Sequence, residues 1–190
     1  MNNTKITLEL PDWLSVFIKS YKGGYSSEEQ RMRFVIKLAE MNVDNNTGGP
    51  FGAAVFEQDN NHLVAVGVNA VVSSNCSVAH AEILAIMLAQ KALNVYNLGK
   101  KNSLFFELVT SCEPCAMCLG ALTWSGIKRV VCGARDDDVR AIGFDEGPKP
   151  SGWIEALSYR GIQVHRDVCR FEAIKVLEHY KRIDGIIYNG

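Results

Sequence analysis

Leu104-Phe105-Phe106-Glu107-Leu108-Val109-Thr110 runs directly into Ser111-Cys112-Glu113-Pro114-Cys115-Ala116-Met117-Cys118, and that junction decides the fold. Residues 104–110 form an apolar run of strand length, bounded by a turn signal. Pro114 suits the first turn of a helix, where its fixed φ is already helical and its missing N–H costs nothing. A helix is therefore expected over about 115–125. Strand passing straight into helix is the unit of an α/β layer structure. Cys115 and Cys118 stand three apart at the expected helix start, so both side chains fall on one face. The positive end of the helix favours their thiolate forms.

The flanking sequence extends the same pattern. Residues 52–58 and 62–72 read as strands separated by the turn-rich Asp59-Asn60-Asn61, a hairpin. A helix is expected from Ala79 to Leu93, and a strand at Lys128–Ala134. A short helix over Asp136–Ile142, a Gly-, Pro- and acid-rich loop over 143–151, a helix over 153–159, an extended piece at 162–165 and a helix over 171–183 complete the C-terminal half. Upstream, Ser26-Ser27-Glu28-Glu29 begins like a helix N-terminus. Met32, Val35, Ile36, Ala39 and Val43 then form an apolar stripe that ends before Gly48-Gly49-Pro50. Residues 1–25 read as an extension packed on the domain formed by 26–190. In it Ile6, Leu8 and Leu10 alternate like a strand, while Trp13, Leu14, Phe17 and Ile18 have helical spacing. The expected architecture is an α/β sandwich around a mixed sheet, with helices on both faces where strands run parallel.

Composition narrows the function. The 190 residues suit one domain, and 47% hydrophobic content supplies a sizeable core. Twenty Lys and Arg against 21 Asp and Glu give a net charge of −1, which argues against a large phosphate-binding face and for a small, weakly charged ligand. No apolar run reaches the roughly 18 residues of a membrane span. Met1-Asn2-Asn3-Thr4-Lys5 lacks the apolar core of a secretory signal, so a cytoplasmic protein with reduced thiols is expected. In that setting six cysteines point to a metal site before disulfides.

His80-Ala81-Glu82, at the start of another expected helix, supplies what the two cysteines lack. His80, Cys115 and Cys118 make three ligands of the N/S type zinc prefers, and a fourth position left to water marks a catalytic site. Zinc lowers the pKa of bound water to roughly 7, and Glu82, two residues from His80, is placed to act as general base. The alternative is a closed structural zinc with Cys112 or Cys76 as fourth ligand, in a module that binds a protein partner.

His-x-Glu combined with Pro-Cys-x-x-Cys is the signature of zinc-dependent base deaminases, and the chain resembles the cytidine deaminase-like superfamily. Within it the chain is most similar to bacterial guanine deaminases, especially the branch that also deaminates the aminotriazine ammeline. The resemblance is densest in residues 48–53, 79–82, 110–118 and 141–146, and the tail Ile187-Tyr188-Asn189 shares it. It implies a three-layer α-β-α sandwich with a five-stranded mixed sheet, one zinc ion per chain and a homodimer. It further implies that Glu82 and Glu146 carry protons. Asn69, Phe51, Trp124, Asp145 and Tyr188 would contact the base. Bland readings remain beside these: Asn69 could finish a turn, Phe51 and Trp124 could be core, and Glu146 could be a solvated loop acid. The expected reaction is guanine plus water to xanthine plus ammonia, a step of purine catabolism. The rival deaminases of the superfamily act on tRNA adenosine, cytosine or nucleosides.

Overall fold

The computed structural model describes Thr4, residues 6–100 and residues 104–189. Five strands, β1 (Gly52–Glu57), β2 (Leu63–Val68), β3 (Phe106–Cys112), β4 (Arg129–Ala134) and β5 (Gln163–His165), lie in the order β2-β1-β3-β4-β5. β1 pairs antiparallel with β2 and with β3, while β3–β4 and β4–β5 are parallel. The hairpin thus supplies the antiparallel edge and the strand–helix units supply the parallel half. β3, in the middle, is buried along its whole length, so its sequence is mostly apolar, and its one acid, Glu107, is paired with Arg129 (2.8 Å).

Helices α1 (Asp12–Ser20), α2 (Glu28–Asp44), α3 (Val71–Ser74), α4 (Ala81–Leu93), α5 (Ala116–Ser125), α6 (Asp136–Arg140), α7 (Trp153–Tyr159) and α8 (Arg170–Arg182) follow the chain. The period of two along the strands sorts them into two cores. Ala54, Phe56, Val109 and Val131 face the layer of α1, α2 and α8. Ala53, Val55, Leu108, Val130 and Cys132 face the layer of α4, α5 and α7. Helices therefore cover both faces of a five-stranded mixed sheet, as expected. No helix among the described residues is long and apolar enough to cross a membrane.

Three local expectations change. Residues 6–10 form no strand: Leu8 and Leu10 pack instead on the small cluster of Ala70, Ala79 and Leu84. The second hairpin strand ends at Val68 and not at residue 72, because the Asn69 side chain accepts the Val71 N–H (3.3 Å) and turns the chain into α3, a local bond that competes with the ladder. Helices α4 and α5 begin at Ala81 and Ala116, which leaves His80 and Cys115 as extended N-cap residues.

One glycine sets the distance between layers. A Cβ on Gly67 in β2 would lie 2.0 Å from the Ala81 carbonyl oxygen, so only glycine lets the first turn of α4 sit this close to the sheet.

Candidate active site

The starts of α4 and α5 meet where β3 ends. His80 and Cys115 are the N-cap residues of these helices, and neither side chain caps its own helix, so both remain free for another partner. Cys118 is the N3 residue of α5, and N-cap and N3 side chains converge as they do in a capping box. His80 Nδ1 lies 3.5 Å from Cys115 Sγ and 3.6 Å from Cys118 Sγ, and the three ligand atoms lie within 4.8 Å of one another. A tetrahedral zinc with Zn–S of about 2.3 Å and Zn–N of about 2.1 Å separates nitrogen from sulfur by about 3.6 Å. The donor set has the right chemistry and the right spacing. Among the described residues neither Cys112 nor Cys76 joins this group, which removes the support for a closed four-ligand site.

The electrostatics point the same way. The Cys118 thiol, and then His80, hold Cys115 at about 4, against the pull of burial. Burial and then the Cys115 charge push Glu82 up. Burial, Cys115 and Glu82 push Glu146 up to about 8. Burial opposes a charge on His80, yet its bond to Cys115 and the charges of Glu82, Cys115 and Glu146 together raise it. The contribution common to the acids and the base is the negative charge gathered in a dry pocket, which a dication would relieve.

Around these groups closes a cavity of about 40 Å³ lined by Phe51, Asn69, His80, Glu82, Cys115, Phe144, Asp145, Glu146 and Tyr188. It adjoins an outer cleft of about 450 Å³ whose walls include Val78, Met117, Pro148 and Asn189. Asn69 is buried, and its Nδ2 has no hydrogen-bond partner among the described residues. The Tyr188 hydroxyl is likewise buried and unpartnered. A Cβ on Gly49 would sit 2.2 Å from that hydroxyl, so glycine is required for the tail to lie here. Unpaired polar groups of this kind are costly unless a ligand satisfies them.

The loop over 143–151 holds Glu146 by its backbone, whose carbonyl accepts the Ala116 N–H (2.9 Å). Buried Glu113 clamps the far end of the same loop: it accepts from Lys149 Nζ (3.2 Å), Arg166 Nε (2.5 Å) and the Asp136 N–H (3.2 Å). Asn189 ties the tail to the loop, accepting the Asp145 N–H and donating to the Gly143 carbonyl.

Two expected base contacts are placed differently. Trp124 is 83% exposed and lines no part of the cavity: six residues beyond Cys118 turn it roughly 120° around α5, away from the zinc ligands. Asp145 lies at the cavity rim, but its carboxylate is engaged by the Gly147 N–H (2.9 Å) and Arg140 Nη1 (3.1 Å), where it holds the turn. Phe144 was not anticipated as a cavity residue. It meets Phe51 edge-on at 5.1 Å and Tyr188 at 4.9 Å, and its one sequence signal is an aromatic set between a glycine and two acids in a loop.

Residues 25–134 match the cytidine and deoxycytidylate deaminase zinc-binding region. A guanine deaminase from Bacillus subtilis (strain 168) is 39% identical over 120 residues, which cover 63% of this chain and 72% of that protein. The solved guanine deaminase from Nitrosomonas europaea superposes with a TM-score of 0.89 at 45% identity, over 95% of this chain and 98% of that one. A solved structure in complex with 8-azaguanine is as similar, with a TM-score of 0.89 and 45% identity over 95% of this chain and 99% of that one. The match spans more than half of the chain and includes all three ligand residues. The chain belongs to the cytidine and deoxycytidylate deaminase zinc-binding family, and it is a zinc-dependent aminohydrolase.

Proposed function

We propose that the substrate is guanine, hydrolysed to xanthine and ammonia, with ammeline as a second substrate. The observation that carries this reading is the pairing of the free, buried Asn69 amide with two proton-binding carboxyls across one small cavity beside the ligand set. Its support from outside the chain is the similarity to two guanine deaminases and to a protein that holds 8-azaguanine.

His80, Cys115 and Cys118 would hold the zinc, which when bound would supply a Lewis acid that makes water reactive near neutral pH. Glu82, dry and raised above the ordinary carboxyl range, is suited to take the proton of that water and pass it to a ring nitrogen of the base. Glu146, buried across the same cavity, is placed to give a proton to the departing amine and to take back the one that the newly added hydroxyl loses as it becomes the carbonyl of xanthine. The Asn69 amide donates to the acceptor edge of the purine, and the Tyr188 hydroxyl finds its missing partner on the same ligand. Phe51 and Phe144 close over the flat ring. Asp145 positions the loop of Glu146 through its turn.

A tRNA adenosine substrate would need a basic groove at the cavity mouth. The net charge of −1 and the acids Asp145 and Glu146 favour a free base. Incubation of the zinc-loaded protein with guanine should give xanthine, followed by its ultraviolet spectrum, while tRNA should gain no inosine. Inosine without xanthine would reverse this assignment.

The reading includes a homodimer. Met87 and Leu88 on α4 and Met117 and Trp124 on α5 are exposed on adjacent helices, an apolar face that a second copy of the chain would cover.

A further inference from the structure

Asn42 is the fully buried amide of α2, on a face otherwise made of Leu38, Ala39 and Val43. A carboxamide in such a place must satisfy its donors and acceptor, and all are used. Its Nδ2 donates to the Gly49 carbonyl (2.9 Å) and to the Asn69 carbonyl (2.9 Å). Its Oδ1 accepts the Thr47 hydroxyl (2.8 Å). The Thr47 hydroxyl in turn accepts the Trp13 indole N–H from α1 (3.0 Å).

One side chain therefore ties together the two segments that form a wall of the cavity. Gly49 leads to Phe51, and the Asn69 N–H returns to the Phe51 carbonyl (3.0 Å). Asn69 has its Oδ1 held by the Val71 N–H, so fixing its backbone fixes the direction of its free Nδ2. The chain of bonds begins in α1, outside the matched residues 25–134.

We infer that Asn42 is a positioning residue for substrate recognition by Asn69, and that α1 takes part in it through the Trp13–Thr47–Asn42–Asn69 relay. The inference rests on the reading of Asn69 as a base contact. It gives the N-terminal helix a role in the site in addition to its packing through Leu14 and Phe17 on the α2 layer.

A double-mutant cycle on the zinc-loaded enzyme tests it, with zinc content and thermal midpoint measured alongside. Asn69→Ala should lower kcat/KM for guanine. Asn42→Asp, which keeps the shape but loses the donors, should raise KM about tenfold with kcat within about twofold. In the Asn69→Ala background the same change should have almost no further effect, because its target is gone. Trp13→Phe and Thr47→Val break the relay from its far end, should raise KM about threefold, and replace Asn42→Asp in the cycle if that variant does not fold. Losses that add in the double mutant would overturn the relay, as would an unchanged KM in the far-end variants. An Asn69→Ala enzyme with wild-type kcat/KM would instead overturn the reading of Asn69 itself.

Discussion

At the scale of single residues, the chemistry rests on carboxyls made dry and crowded by other negative groups. Glu146 is set at about 8 by burial first and then by Cys115 and Glu82, against roughly 4.3 for a free glutamate. A raised acid holds its proton more tightly in the folded state, so between about pH 4.5 and 8 the folded protein binds more protons than the unfolded chain. Stability from this group is present below that window and is lost as pH rises through it. Denaturant midpoints of metal-stripped protein should fall from pH 5 to pH 8 more steeply in the wild type than in Glu146→Gln, and parallel curves would refute the assignment. His80, Glu82, Cys115 and Cys118 were legible in the sequence because each pair sits on one helix start, where spacing alone fixes geometry. Trp124 was assigned on residue type, although its spacing of six from Cys118 already turns it away from the ligand face of α5. Asn42 and Phe144 carry a weaker signal, one polar residue in an apolar stripe and one aromatic in a polar loop, and need the tertiary structure to give them meaning.

At the scale of elements, the site depends on two helix starts held against the sheet. Gly67→Ala would drive a methyl group into the Ala81 carbonyl, and the first turn of α4 with His80 and Glu82 would have to move. A stability loss of about 3 kcal/mol is expected from such overpacking, together with weaker zinc retention on dialysis against a chelator. A variant that keeps both midpoint and zinc would show that α4 can shift without consequence. The strands and long helices were readable because their periods of 2 and 3.6 survive in the sequence. The end of β2 was not, because Asn69 replaces a ladder bond by a local one, and the alternation in residues 6–10 serves packing on Ala70, Ala79 and Leu84 and not a sheet. Helix starts were misplaced by one or two residues at His80 and Cys115, and those residues are the ligands: an N-cap side chain is outside the helix and free to turn toward a metal.

At the scale of the whole molecule, the sandwich buries both faces of its sheet yet leaves apolar side chains exposed on α4 and α5. If a second copy covers them, Trp124→Glu should shift the protein toward monomer in light scattering, and an unchanged mass would remove that face from the interface. The near-neutral charge and the small cavity belong with a free base as substrate, and the family assignment with its hydrolysis. The most direct test is guanine turnover in ¹⁸O-labelled water by zinc-loaded wild type and Glu82→Gln. The account predicts xanthine carrying one ¹⁸O and an equal amount of ammonia from the wild type. It predicts a rate lower by about 10³-fold or more from Glu82→Gln with zinc content unchanged. Unlabelled xanthine, no xanthine at all, or a Glu82→Gln enzyme as fast as the wild type would contradict it.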